Sequence, residues 1–137
     1  MKLVFNRETQ TIAVVADDGT VIASYECRDD FWAGENDEGQ PRASLPDGDY
    51  TASAEQPGQS AAEANGPAYG TFYVKTGDPR GRDIHGGGSG LPDPFAPRQG
   101  WTPTLGCLRM QNEDGEDLSR RIIDNGNTIR LEVRTSC

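Results

Sequence analysis

Short stretches of alternating apolar and polar residues, separated by glycine- and proline-rich turns, run through most of the chain. Residues 2–6 (KLVFN) and 11–16 (TIAVVA) read as paired strands. Asp17-Asp18-Gly19-Thr20 supplies an Asp-Gly hairpin turn into a third strand at residues 20–27, so the chain opens as a three-stranded meander. A turn at Leu45-Pro46-Asp47-Gly48 leads into a strand over residues 49–54. Aromatic and β-branched residues predict another over 70–76, and Asp83-Ile84-His85 a short strand end. Near the C-terminus the period changes. Leu118, Ile122 and Ile123 form an apolar stripe on a helix over 115–124, with Asp114 as its predicted cap and Asn125-Gly126 as its stop. Residues 128–134 (TIRLEVR) alternate again, with Ile129, Leu131 and Val133 facing a core. The polar segment 28–48 is expected to be a loop in which Phe31-Trp32 plugs the core edge, the alternative being a ligand platform. Residues 55–68 are expected to form a long, mobile surface loop. The pattern predicts one mainly β domain over residues 1–137 with a single short helix in its C-terminal half.

Composition narrows this picture. With 137 residues the chain fits one modest core. No apolar run approaches the roughly 20 residues a membrane-spanning helix needs, so no membrane insertion is expected. Residues 3–5 are too short an apolar run for a secretory leader core of about 7 to 15 residues. The expectation is therefore a cytoplasmic protein, a removed leader, or export by a route that uses none. The 13 Lys and Arg against 22 Asp and Glu give a net charge of −9, which argues against nucleic acid as partner. The acid is unevenly spread. Residues 1–76 carry 5 basic and 13 acidic groups, whereas residues 77–110 carry four Arg and three Asp. That distribution fits an ordinary solvated acidic surface, or an Arg-lined site for a carboxylate-bearing ligand.

The least acidic segment also holds the reactive side chains. His85 is the only histidine, and Cys107 lies 22 positions on, at the far end of a spacer with five Gly and four Pro in residues 86–104. No regular element is expected at that density. A thiol with an ordinary pKa of about 8.5 is mostly protonated at neutral pH, so a nucleophilic Cys107 would need a base, and His85 is the only imidazole. A direct contact of about 3 to 4 Å between the two is the geometry that role asks for. Gly86 would leave room for substrate beside the ring. Gly106 would allow a tight turn aiming the amides of residues 106 and 107 at one point, as an oxyanion hole. Arg109, two residues past Cys107, would share its face in an extended segment and could hold a carboxylate. The plainer reading is a Cys that serves as a small core hydrophobe and a structural His. Of the other cysteines, Cys27 and Cys137 could pair in an oxidising compartment. One His and no CxxC argue against a metal site, and no cofactor is implied.

The run His85-Gly86, a Gly/Pro-rich spacer, and Thr104-Leu105-Gly106-Cys107-Leu108-Arg109-Met110 resembles the signature of L,D-transpeptidases of the YkuD type: HG, a spacer, then S/T-x-G-C-apolar-R/N-apolar. The turn Leu45-Pro46-Asp47-Gly48-Asp49-Tyr50, the helix start at Asn112, Asp114 and Leu118, and the closing Gly126-Asn127-Thr128-Ile129-Arg130-Leu131 resemble further family segments, so the similarity covers most of residues 45–133. The resemblance implies a β-sandwich-like mixed sheet with one short helix, and acyl transfer on peptidoglycan stem peptides without a cofactor. Cys107 would attack the meso-diaminopimelate carbonyl, release D-alanine and form a thioester, with His85 as base and the Gly106 and Cys107 amides as oxyanion hole. Arg109, Gly86 and Thr104 would stand on the substrate side. An amine would resolve the thioester to a cross-link, or water to a trimmed stem.

Three features depart from the family pattern. Leu105 stands where many members have His, the spacer is somewhat long, and no export leader or wall-binding module is visible. Small leaderless members resemble toxic effectors delivered into a competitor's periplasm. The resemblance places the site of action in the periplasm or cell wall. The alternatives are an L,D-carboxypeptidase or effector on the same scaffold, a non-catalytic wall-binding or partner-binding domain, and a redox protein using Cys27, Cys107 and Cys137.

Overall fold

The computed structural model of the chain describes residues 1–36, 38–56 and 66–135. Its strands are β1 (Lys2–Asn6), β2 (Thr11–Val15), β3 (Val21–Arg28), β4 (Gly48–Ala54), β5 (Tyr73–Lys75), β6 (Ile84–His85), β7 (Leu108–Met110) and β8 (Ile129–Arg134). The one α-helix among the described residues, α1, spans Asn112–Asp124. The opening meander is as the alternation predicts, with β1 and β2, then β2 and β3, antiparallel. The sheet then closes on itself as a barrel in the order β1-β2-β3-β7-β6-β5-β4-β8, with β8 running parallel to β1. Closure satisfies strand edges that an open sheet would leave exposed. The chain is thus mainly β, as expected, with the mixed sheet closed as a barrel.

The core follows from the period-2 faces. Leu3, Phe5, Ile12, Val14, Leu131 and Val133 point inward, and Ile84, Leu108 and Met110 extend the same core beneath β6 and β7. Helix α1 adds Leu118 and Ile122, both fully buried. Burying such a side chain stabilises by roughly 1.5–3 kcal/mol. Gly115 lets the helix sit on Phe72, since a Cβ there would lie 2.0 Å from the ring.

Several boundaries differ from expectation. The helix begins at Asn112 rather than Gly115, and Asp114 does not cap it. Its N-cap is Gln111, in extended conformation without a side-chain cap bond. The early start follows from Asn112, whose buried amide donates to the Pro94 and Ala96 carbonyls and pins the first turn to the spacer. Glu113 and Asp114 still favour this end through the helix dipole, and Asp114 pairs with Arg98. Strand β5 is three residues long, because residues 70–72 turn to pass under Asn112. Phe31 and Trp32 do not plug the core edge, and both are exposed. They sit on a segment bridged to the cysteine turn by Trp32 N–H to Thr104 O and Thr104 N–H to Asp30 O. Most of the loop expected at 55–68 lies outside the described residues, as does Cys137 and with it the Cys27–Cys137 pairing. Cys27 itself is a fully buried free thiol. No helix among the described residues is long and apolar enough to cross a membrane.

Candidate active site

Strand register places the reactive residues. β6 and β7 run parallel, with Ile84 opposite Leu108 and His85 opposite Arg109. β5 runs antiparallel to β6, with Tyr73 opposite His85. Because alternate residues face opposite sides, Ile84, Leu108 and Met110 enter the core, while His85, Cys107 and Arg109 line one cavity on the other face. That cavity has a volume of about 360 Å³ and is also lined by Trp32, Tyr69, Ser89 and Leu105.

The cysteine turn is built by Thr104 and Gly106. The Thr104 hydroxyl accepts the Gly106 N–H at 3.0 Å and donates to the Cys107 carbonyl at 2.7 Å. Gly106 has φ +133°, and a Cβ there would meet the Ala43 carbonyl at 2.7 Å and the Arg82 side chain just beyond. Glycine is therefore required at 106 for the turn, as expected. Its amide, however, is engaged by Thr104. The Cys107 N–H has no partner among the described residues, so it is the amide left free to receive an oxyanion. Thr104 borders the cavity but is buried, with its hydroxyl committed to the turn.

His85 is only 3 % exposed. Its Nδ1 lies 2.9 Å from the Gly86 carbonyl, which assigns the proton to Nδ1 and leaves the Nε2 lone pair free. Tyr69 stacks on the ring at 4.6 Å, and Tyr73 lies parallel to it at 6.3 Å. Burial lowers the His85 pKa to about 4, against the Gly86 bond, with the Arg109 charge adding to the lowering. The ring is neutral at pH 7, the form a base needs. Gly86 does not open space beside the imidazole. A Cβ there would lie 2.2 Å from the Asn112 side-chain oxygen, so the missing side chain serves the packing of Asn112 and Phe72.

Cys107 accepts the Asp83 N–H at 3.3 Å, and its thiol points at the Gly81 carbonyl at 3.9 Å. Both partners lie on the turn before β6, and His85 is not among the sulfur's hydrogen-bond partners. No hydrogen bond joins the thiol and the imidazole among the described residues. Burial pushes the Cys107 pKa up to about 11. The Asp83 N–H and the Arg109 charge work downward, and the Asp83 and Asp78 carboxylates upward.

Arg109 is 4 % exposed and has no carboxylate partner among the described residues. It donates to the Thr102 carbonyl at 2.9 Å and, at the outer limit, to the Ala68 carbonyl at 3.5 Å, and its Nε is buried without a partner. A buried guanidinium with an unfilled donor at a cavity wall is suited to a carboxylate ligand. Trp32 (51 % exposed) and Leu105 (66 %) form an apolar rim around the mouth.

The structure thus brings His85, Cys107, Arg109 and Thr104 together, and places Gly86 and Gly106 in the frame behind them. Tyr69 is a cavity residue that sequence reasoning did not find, and Trp32, read first as a core plug with a ligand platform as the alternative, also lines the cavity. The aromatic pair Phe31-Trp32, exposed in a polar loop, was the available signal for the second. Gln99 also went unnoticed, and Asn112 is read from sequence only as part of a helix start. Buried Gln99 donates to the Gly87 and Met110 carbonyls and its N–H to Gln111, so these two amides tie the spacer to β7 and α1.

No family model matches the sequence, and no curated protein does. Solved structures do. An L,D-transpeptidase from Stackebrandtia nassauensis is 17 % identical over 98 % of this chain, with a TM-score of 0.60. The helical cell shape determining protein of Campylobacter jejuni is 18 % identical over 98 %, with a TM-score of 0.63. L,D-transpeptidase 1 of Mycobacterium tuberculosis is 13 % identical over 96 %, with a TM-score of 0.51. This chain spans 55 %, 47 % and 60 % of those three chains, respectively. On these structural matches the chain has the fold of the L,D-transpeptidases of the YkuD type, the family its sequence resembles.

Proposed function

We propose that the protein is a cysteine-dependent acyltransferase of the L,D-transpeptidase type, acting on peptidoglycan stem peptides in the periplasm or cell wall. The observation that carries this reading is that His85, Cys107 and Arg109 line one cavity on one face of the β6–β7 pair. In the proposed reaction the Cys107 side chain turns from Gly81 toward the imidazole and its proton passes to Nε2. The sulfur attacks the stem carbonyl, and the oxyanion forms against the Cys107 N–H. The imidazolium returns the proton to the departing D-alanine amine, leaving a thioester. An amine acceptor then yields a cross-link, or water a trimmed stem. Arg109 holds a substrate carboxylate, and the Trp32–Leu105 rim contacts the apolar parts of the incoming chains.

Replacing Cys107 with Ala and analysing muropeptides tests this directly. Loss of both cross-linked and trimmed products is expected, and unchanged products refute the reading. Product analysis with and without an acceptor amine separates transpeptidase from carboxypeptidase.

One observation favours a second reading, a non-catalytic wall-binding domain: the resting sulfur is bonded to the 81–83 turn and its thiol is held protonated. A carbapenem distinguishes the two, because an acylated Cys107 appears as a mass adduct in the enzyme and not in a binding module.

A further inference from the structure

The turn between β5 and β6 is more heavily bonded than a surface connection requires. Asp78 and Arg82 form a buried ion pair, with Nε to Oδ2 at 2.7 Å and a second guanidinium bond at 3.1 Å. Asp78 also accepts the Arg82 N–H at 3.0 Å. Burial raises the Asp78 carboxyl, but the bonds from Arg82 outweigh it and hold the group below the usual carboxylate range. Arg82 reaches across to the Ala43 and Ser44 carbonyls, and its aliphatic stem is what a Cβ on Gly106 would strike. Thr76 closes the turn from the other end, donating its hydroxyl to Arg82 O and its N–H to the Asp83 carboxylate, which Tyr73 also bonds. The whole assembly presents one free product to the cavity: the Asp83 N–H, aimed at the Cys107 sulfur.

We propose that Asp78, Arg82 and Asp83 form a positioning unit for Cys107, in which the Asp83 N–H receives the thiolate as the proton leaves and the Arg82–Asp78 pair both fixes that amide and offsets part of a charge beside the sulfur. The step it serves is simple. The S–H bond breaks, the proton goes to His85 Nε2, and the electron pair stays on sulfur, opposite the Asp83 amide dipole. This rests on the reading of Cys107 as nucleophile for its use, but the sulfur can be tested without any peptidoglycan chemistry.

The charged and titratable groups around the sulfur are Asp78 and Asp83 on this turn, Arg109 on β7, His85 on β6, Tyr73 on β5 and Tyr69 before it. With Arg82 intact, the Asp78 charge is partly offset, although it still works upward on the sulfur. Arg82→Gln leaves Asp78 uncompensated, so thiolate formation becomes harder. Asp78→Asn leaves Arg82 uncompensated, so it becomes easier. Both variants break the same ion pair, and a purely structural clamp would move them in the same direction.

The test is iodoacetamide alkylation of the full chain across pH, read at Cys107 by peptide mass, with circular dichroism and Tm as fold controls. The midpoint is expected to rise for Arg82→Gln and fall for Asp78→Asn, each by on the order of half a pH unit, about a threefold change in rate at fixed pH below the midpoint. Unchanged midpoints, or two shifts of one sign, overturn the proposal. Should either variant not fold, the near-isosteric Asp83→Asn decides, with a lowered midpoint supporting the proposal and an unchanged one overturning it. Muropeptide products unchanged by Cys107→Ala, with the opposed shifts intact, would refute the transpeptidase reading and leave this one standing.

Discussion

The Thr104 hydroxyl donates to the Cys107 carbonyl at 2.7 Å while accepting the Gly106 N–H at 3.0 Å, so one small side chain closes the turn that carries Cys107. Thr104→Val keeps the shape and removes both bonds, stranding a buried amide. A loss of roughly 1–3 kcal/mol is expected, read as a Tm drop of several degrees, and Thr104→Ser should restore most of it. Equal Tm values for Val and Thr would show that the hydroxyl does not hold the turn.

His85 links stability to pH. Its folded pKa is about 4, against an ordinary value of about 6.5. Between those values the unfolded chain binds a proton that the folded chain does not. The contribution is therefore fully present above pH 6.5 and is lost as pH falls through 4, by up to roughly 3 kcal/mol. Thermal melts between pH 7.5 and 4.5 should fall more steeply for the wild type than for His85→Gln. Parallel curves would mean that the ring is not held neutral by the fold.

Arg109 is a buried cation with no carboxylate partner among the described residues, so its presence is not explained by stability. Arg109→Met should leave Tm unchanged or raise it. Turnover of a carboxylate-bearing stem peptide should drop, with kcat/KM lower by about 10- to 100-fold for a lost charge-assisted pair of roughly 1.5–3 kcal/mol. A large Tm loss with unaltered kcat/KM would assign Arg109 to the scaffold instead.

Alanine is normally the better helix former at an interior glycine position, by roughly 1 kcal/mol. At Gly115 the order should invert. The new Cβ would sit 2.0 Å from the Phe72 ring, and overpacking of this kind costs about 1–3 kcal/mol or more. Urea melts of Gly115→Ala should show a lowered midpoint. A raised midpoint would mean that Phe72 has somewhere to move.

What could be read from the sequence was whatever local chemistry determines. The meander, the alternation of Ile129, Leu131 and Val133, and the end of the helix at Asn125-Gly126 all depend on neighbours within a few residues. Barrel closure does not: it needs β8 to lie parallel to β1 across nearly the whole chain. The helix start was misplaced because Asn112 answers to Pro94 and Ala96, not to the next turn of its own helix. In the site, Cys107, His85 and Arg109 were visible by residue type and spacing. Gly86 was given an open neighbourhood that Asn112 fills, and the Gly106 amide was taken as free because the reach of the Thr104 hydroxyl is a matter of three-dimensional turn geometry. Tyr69 was invisible, since nothing local announces a ring that stacks on an imidazole sixteen positions away.

The parallel pairing of His85 with Arg109 has an evolutionary consequence. The imidazole, the thiol and the guanidinium take their spacing from two adjacent strands and the turn that enters the second, not from the length of chain that joins them. For a flexible connection, doubling the length raises the closure cost by only about 0.6 kcal/mol. Residues added between the anchored points Gly87 and Gln99 would leave the three side chains where they are. Such a protein can change what it admits to its mouth by editing one crossover, while its chemistry is inherited intact.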